Sequence, residues 1–125
     1  TESASHWVWV YSILADGTLV NKQRLGWLHV RDQDENAWSD GLKCDRDGRI
    51  YVTTLSGIQV LDQLGRVNAI IPVPKTKGQV SNLCFGGSNF DIMYVSVQDK
   101  VYKRKVKVKG ANNFDKPIKP SAPKL

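Results

Sequence analysis

The chain has 125 residues, 41% of them hydrophobic and 24% charged. That suits one globular domain, is too short for two comfortable ones, and is not a disordered composition. No apolar run approaches the roughly 18–20 residues of a membrane span. The formal net charge of +6 is unevenly placed: residues 101–125 hold eight lysines and arginines against one acid, Asp115, so the first hundred residues are close to neutral.

The chain starts at Thr1 with no basic-then-apolar leader pattern. It runs at once into the alternating stretch His6-Trp7-Val8-Trp9-Val10-Tyr11. This places Thr1 inside a larger protein, near the end of an earlier strand; a small protein that has lost its initiator is the alternative. A turn at Asp16-Gly17 then separates Trp7–Ile13 from residues 18–25 as a hairpin. Trp7, Trp9 and Trp27 are expected to pack between neighbouring repeats rather than to stack on a ligand. Asp32, Asp34 and Glu35 form an acidic cluster in a loop, either a rim or gate for a site or a plain solvated loop.

Next come Gly41-Leu-Lys-Cys44, Asp47-Gly-Arg-Ile-Tyr51-Val52, Gly57-Ile-Gln-Val60 and residues 66–73. Asp45, Asp47 and Asp62 read as turn formers between these short runs. Then Asn82-Leu-Cys84-Phe, Asp91-Ile-Met-Tyr94-Val95 and Lys100-Val-Tyr-Lys103 repeat the order. Cys44 and Cys84 stand 40 residues apart, and Tyr51 and Tyr94 stand 43 apart. No stretch keeps a helical period. An all-β chain with a repeat of about 40–45 residues and four short strands per unit fits β-propeller blades. The expected architecture is a β-propeller fragment with four-stranded antiparallel blades: residues 1–112 hold the end of one blade and two following blades, and residues 113–125 form a Pro/Lys-containing tail. A small sandwich or barrel of about nine strands is the alternative. A unit of under three blades is expected to be incomplete by itself, because a repeat cannot bury its faces alone.

Lys103, Lys105, Lys107 and Lys109 alternate opposite Tyr102, Val106 and Val108. Lysines on an exposed strand discourage edge pairing, and their face carries no interleaved aromatics, which argues against nucleic acid. His6 and His29 share no metal spacing with each other or with the cysteines. Cys44 and Cys84, too few for a disulfide scaffold, are expected to be reduced, buried and apolar in role.

Ser39-Asp40-Gly41-Leu42-Lys43-Cys44-Asp45, followed by Asp47-Gly48-Arg49-Ile50-Tyr51-Val52 and Gly57-Ile58-Gln59-Val60, resembles the penultimate-blade region of the gluconolactonase / senescence-marker-protein (regucalcin) family. Asn82-Leu83-Cys84-Phe85-Gly86-Gly87 with Met93-Tyr94-Val95 resembles the next blade, and Val101-Tyr102-Lys103-Arg104-Lys105-Val106 the final strand. The resemblance covers nearly the whole chain. It implies half of a six-bladed propeller and one divalent metal in a central channel, calcium first, with zinc, magnesium or manganese as alternatives. It implies a sugar-lactone hydrolase that opens the ring with metal-activated water. Of the family's metal ligands only the aspartate of the Pro/Ser-Asp-Gly motif maps here, onto Asp40; the glutamate and asparagine ligands would lie upstream of Thr1.

Asp40 makes physical sense as ligand and catalytic residue. A carboxylate is a hard oxygen donor suited to such cations and can accept a proton from water. The bland alternative is a turn aspartate bonded to its own backbone before Gly41. Asn82 and Trp38 are secondary candidates for lining the substrate site. The implied partners are a small sugar lactone and the remaining blades, from upstream sequence or from another copy of the chain; neither nucleic acid nor a membrane is expected, and the compartment stays open. A non-catalytic propeller module that binds a partner is the competing reading, and a basic adaptor resting on the tail is a third.

Overall fold

Turn residues and β-branched runs cut the chain into antiparallel strands in a computed structural model that describes residues 1–74 and 79–116. In chain order these are β1 (Trp7–Ile13), β2 (Leu19–Trp27), β3 (Leu42–Cys44), β4 (Ile50–Thr54), β5 (Gly57–Leu61), β6 (Val67–Ile71), β7 (Val80–Gly86), β8 (Ile92–Val97) and β9 (Lys100–Lys105). They form three separate meanders, β1-β2, β3-β4-β5-β6 and β7-β8-β9. Separate stacked sheets are the architecture of consecutive propeller blades rather than of one barrel or sandwich. The described residues contain no helix, and hence none long and apolar enough to cross a membrane.

Two turns of the middle sheet share one device. The Asp45 Oδ1 accepts the N–H groups of Asp47 (3.0 Å) and Arg49 (2.9 Å), and the Arg49 guanidinium donates to the Asp45 Oδ2 at 3.0 Å. Asp62 repeats this with Leu64 (2.9 Å), Arg66 (3.0 Å) and the Arg66 guanidinium (2.8 Å). Asp47 pairs with Arg49 at 2.8 Å. The side-chain oxygen replaces a backbone acceptor and closes the turn.

The alternation of β4 and β5 sends side chains to opposite faces and so builds two cores. Val52 and Leu61 meet Val8, Leu28 and Ala37 on the β1-β2 side. Tyr51, Ile58 and Val60 meet Leu83, Met93, Val95 and Val97 on the β7-β9 side. The first joint is close. A Cβ on Gly65 would sit 1.8 Å from the Leu25 carbonyl oxygen, and Gly65 has φ +82°, so the β5-β6 turn can touch β2 only with glycine there.

The structure changes two expectations, the burial of the cysteines and the length of the lysine-rich strand. Cys44 and Cys84 are free but exposed, not buried. Cys44 lies at the last position of the short strand β3, beyond the reach of the core that covers Leu42, and Cys84 lies on the face of β7 opposite Leu83. Trp7, Trp9 and Trp27 lie on the face of β1-β2 turned away from the other described sheets, so any partner blade for them lies outside the described residues. They cluster with His6 on the face of β1-β2 opposite Val8: His6 stacks on Trp27 with centroids 4.4 Å apart, Trp7 meets Trp27 edge-on at 4.6 Å, and Arg24 lies 4.4 Å from the Trp7 ring centre. The lysine-rich strand is also shorter than its pattern. β9 stops at Lys105, and residues 106–111 bend under two sheets. There Val106 and Val108 pack on the second core. Arg46 donates to the Lys109 carbonyl (2.8 Å), Ala111 to Cys44 (3.0 Å) and Gly110 to Phe90 (2.8 Å). Most of the expected tail, residues 117–125, lies outside the described residues.

Candidate functional site

The links between sheets gather at one end of the fold. Residues 1–6, the loop 28–41, the β4-β5 turn and the start of β7 all lie there. The long loop is pinned to the sheets by buried polar side chains. Gln59 clamps the His29 backbone, donating to its carbonyl at 2.7 Å and accepting from its N–H at 2.8 Å. The Ser39 carbonyl accepts from the Ser3 hydroxyl at 2.6 Å. Leu55 donates to the Ala37 carbonyl at 3.2 Å. Buried polar groups of this kind are stable only when paired, and each of these is.

The loop delivers Asp40 to the start of β3. Its N–H donates to the Thr53 carbonyl at 3.2 Å, while its side chain is exposed. Among the described residues the Asp40 carboxylate has no hydrogen-bond or ion-pair partner. It differs in this from Asp16, Asp45 and Asp62, whose carboxylates all fold back onto nearby backbone N–H groups. Asp40 is therefore held by its backbone and free at its side chain.

Asn82, on β7 of the next sheet, is brought beside it. A Cβ on Gly41 would stand 2.4 Å from the Asn82 Oδ1 and 2.8 Å from its Cα. The Asn82 Oδ1 also accepts the Leu83 N–H at 2.8 Å, which orients the amide. Beside Asn82 a hollow of about 320 Å³ is lined by Lys43, Asn82, Cys84, Tyr94 and Ser96. Burial, then the nearby Asp45 charge, pushes the Cys44 thiol up from its ordinary value, with Lys43 opposing. Trp38 is 46% exposed and sits at φ +48°, a left-handed conformation that a bulky residue rarely adopts; its carbonyl accepts from the Gln79 amide at 2.6 Å. A second hollow, of about 250 Å³ between Ile71, Val73, Met93 and Tyr102, lies between the outer strands β6 and β9.

The acidic loop does not join Asp40. Asp34 is paired with Arg31, and Asp32 and Glu35 are exposed. Among the described residues no three His, Cys, Asp or Glu side chains converge. A calcium ion takes six to eight oxygen ligands. The donor chemistry of Asp40 fits such a cation, but the described residues supply one carboxylate and not a complete site.

Thr53, Ser39 and Gln59 shape this end and escape a reading of the sequence. The available signal was the pair Thr53-Thr54 closing an otherwise apolar strand, a place where hydroxyls demand buried partners.

The chain matches the SMP-30/gluconolactonase/LRE-like region over residues 1–99. It belongs to this family. Two solved structures share the fold. An X-ray structure of a gluconolactonase candidate superposes with a TM-score of 0.65 at 24% identity, covering 86% of this chain and 34% of the other. A luciferin-regenerating enzyme superposes with a TM-score of 0.65 at 22% identity, covering 89% of this chain and 42% of the other. The chain thus spans well under half the length of either. No curated protein matches it. Membership of the SMP-30/gluconolactonase family accounts for the order of the turns and for the all-β blades.

Proposed function

We propose that the chain is the C-terminal part of a sugar-lactone hydrolase in which Asp40 is a metal ligand and proton acceptor. One observation supports the reading most: a carboxylate at the head of β3, backbone-fixed and, among the described residues, without a side-chain partner, whereas the turn carboxylates of Asp16, Asp45 and Asp62 are tied to nearby backbone N–H groups. A bound divalent cation, calcium by preference over zinc, magnesium or manganese, would polarise the lactone carbonyl and activate water. The Asp40 carboxylate would help to hold that cation and take the proton from the attacking water. The proton then passes to the ring oxygen as the ester C–O bond breaks. Asn82, fixed beside Gly41, and Trp38 would line the sugar side of the site. The other ligands are assigned to blades outside this chain or to another copy of it, so the 125 residues alone are expected to hydrolyse lactones poorly.

The test is hydrolysis of gluconolactone at saturating calcium by the protein that carries this chain. Asp40→Asn keeps the shape and removes the charge; it should lower the rate by about 10²–10⁴-fold. An unchanged rate and unchanged calcium affinity would return Asp40 to the role of a turn residue. A second reading, a non-catalytic propeller module that binds a partner through the same end, draws on the lack of a converging ligand set among the described residues. It requires that added calcium leave the melting temperature unmoved, because a cation bound to the folded protein would raise it.

A further inference from the structure

We propose that Thr53 is a positioning residue for Asp40: its buried hydroxyl locks the Asp40-Gly41 backbone of one blade onto Ser81 of the next. The inference rests on the reading of Asp40 given above. Thr53 is 0% exposed near the end of β4, on the face turned toward β7. Its Oγ1 accepts the Gly41 N–H at 2.7 Å. Its one hydroxyl hydrogen is offered to the carbonyls of Ser81 at 3.2 Å and Gly41 at 3.3 Å. The Thr53 main chain grips the same pair, accepting from the Asp40 N–H at 3.2 Å and donating to the Gly41 carbonyl at 2.9 Å. The Gly41 N–H reaches the Ser81 carbonyl at 2.9 Å as well. Both peptide groups flanking the Asp40 Cα are thereby fixed, and the carboxylate keeps only its own side-chain torsions.

The neighbouring blade is held in the same frame. Gly41 has no room for a Cβ because Asn82 fills that space. Packing alone does not call for a hydroxyl at this place. Valine has nearly the shape of threonine and suits a strand equally well, but it would leave the Gly41 N–H and the Ser81 and Gly41 carbonyls with their backbone bonds alone and remove the hydroxyl that ties the three together. The hydroxyl sets where Asp40 stands relative to Asn82 across the joint between blades, and small displacements of a reacting group are expensive in rate.

The experiment compares Thr53→Val, Thr53→Ser, Thr54→Val and Asp40→Asn in the protein that carries this chain, with gluconolactone as substrate. Thr53→Val should lower kcat by about 10–10²-fold with KM nearly unchanged. Thr53→Ser restores the hydroxyl and should restore kcat to within about threefold of wild type. Thr54 is an equally buried threonine whose hydroxyl donates to the Gly57 carbonyl at 2.9 Å and accepts from the Gln59 amide at 3.2 Å, touching neither Asp40 nor Gly41. Gln59 keeps both its bonds to His29 without it, so Thr54→Val controls for loss of a strand hydroxyl and should keep kcat within about threefold. Amide exchange at Gly41 gives a readout apart from turnover: faster in Thr53→Val, unchanged in Thr53→Ser. Thr53→Ala removes the same hydroxyl and takes the place of Thr53→Val if that variant does not fold. Full activity in Asp40→Asn would overturn the lactonase reading and the positioning with it. Loss of activity in Asp40→Asn with full kcat in Thr53→Val would overturn the positioning alone, as would an equal loss in Thr54→Val or a failure of serine to rescue.

Discussion

The four-stranded sheet β3-β6 and the three-stranded sheet β7-β9 draw on the same stock of Val, Ile and Tyr, but they are buried differently. In β4 and β5 nine of the ten residues are buried and the tenth, Ile50, is half-buried. Those strands have β1-β2 against one face and β7-β9 against the other. In β8 burial alternates: Met93, Val95 and Val97 are buried, while Ile92, Tyr94 and Ser96 on the opposite face are only half-buried. The period of burial along a strand therefore reports how many neighbours its sheet has. Sequence alone blurs this, because the half-buried face of β8 is itself partly apolar.

Matched substitutions test the contrast. Val52 is 0% exposed and Val101 is 71% exposed. Val52→Ala should cost about 2–3 kcal/mol by lost burial and cavity formation, and Val101→Ala under about 0.5 kcal/mol, both read from urea unfolding midpoints. Equal costs would mean that the outer face of β7-β9 is as covered as the middle of the fold. A smaller effect is expected at Asp45, 2% exposed and bonded to Arg49 and to the Tyr51 hydroxyl at 3.1 Å. Asp45→Ala strips buried donors of their acceptor and should cost about 1–3 kcal/mol by the same measurement. It should also ease titration of Tyr51, whose phenol is pushed up first by burial and then by the Asp45 charge.

The two cysteines sample the two sheets more gently. Both should react with a thiol dye in the native protein, since both are exposed. Cys44 should lag behind Cys84 near pH 8 and catch up as the pH rises, because burial and Asp45 hold its thiol up. Equal rates at pH 8 would remove that distinction. The smallest effect belongs to Asp62, in the turn between β5 and β6. Backbone donation from Arg66, foremost, lowers its carboxyl from the ordinary 3.8 to about 2. A depressed folded value means its contribution is complete above about pH 4 and is lost as the pH falls through about 2. Asp62→Asn should flatten the acid limb of a stability-against-pH curve over that window, and an unchanged limb would show that the turn bond does not contribute.

Much of this fold is legible from turns. The Asp-Gly and Gly-Gly steps locate the hairpins, and the forty-residue spacing of Cys44 and Cys84 separates the two blades. Asp45 and Asp62 are turn formers as their Asp-x-x-Gly-Arg setting suggests. Burial of the cysteines is misread because alternation says which side chains share a face, not what lies opposite that face. Of the Asp40 end, the position at the head of β3 follows from Ser-Asp-Gly-Leu. The approach of Gly41 to Asn82 and the grip of Thr53 do not, because they depend on how two sheets dock across residues far apart in the chain.

The bend at residues 106–111 has a kinetic consequence. Every sheet here is a meander, so its strand pairs join sequence neighbours and need only short loops to close. The bonds from Lys109 and Ala111 to Arg46 and Cys44 are different: they join the last described segment to the hairpin of an earlier blade. Their closure entropy is large, and it is recovered only after the intervening strands are in place. Loop closure therefore favours late formation and early release of this strap, and the β3-β4 turn is expected to gain its final protection from exchange only once residues 106–111 have docked.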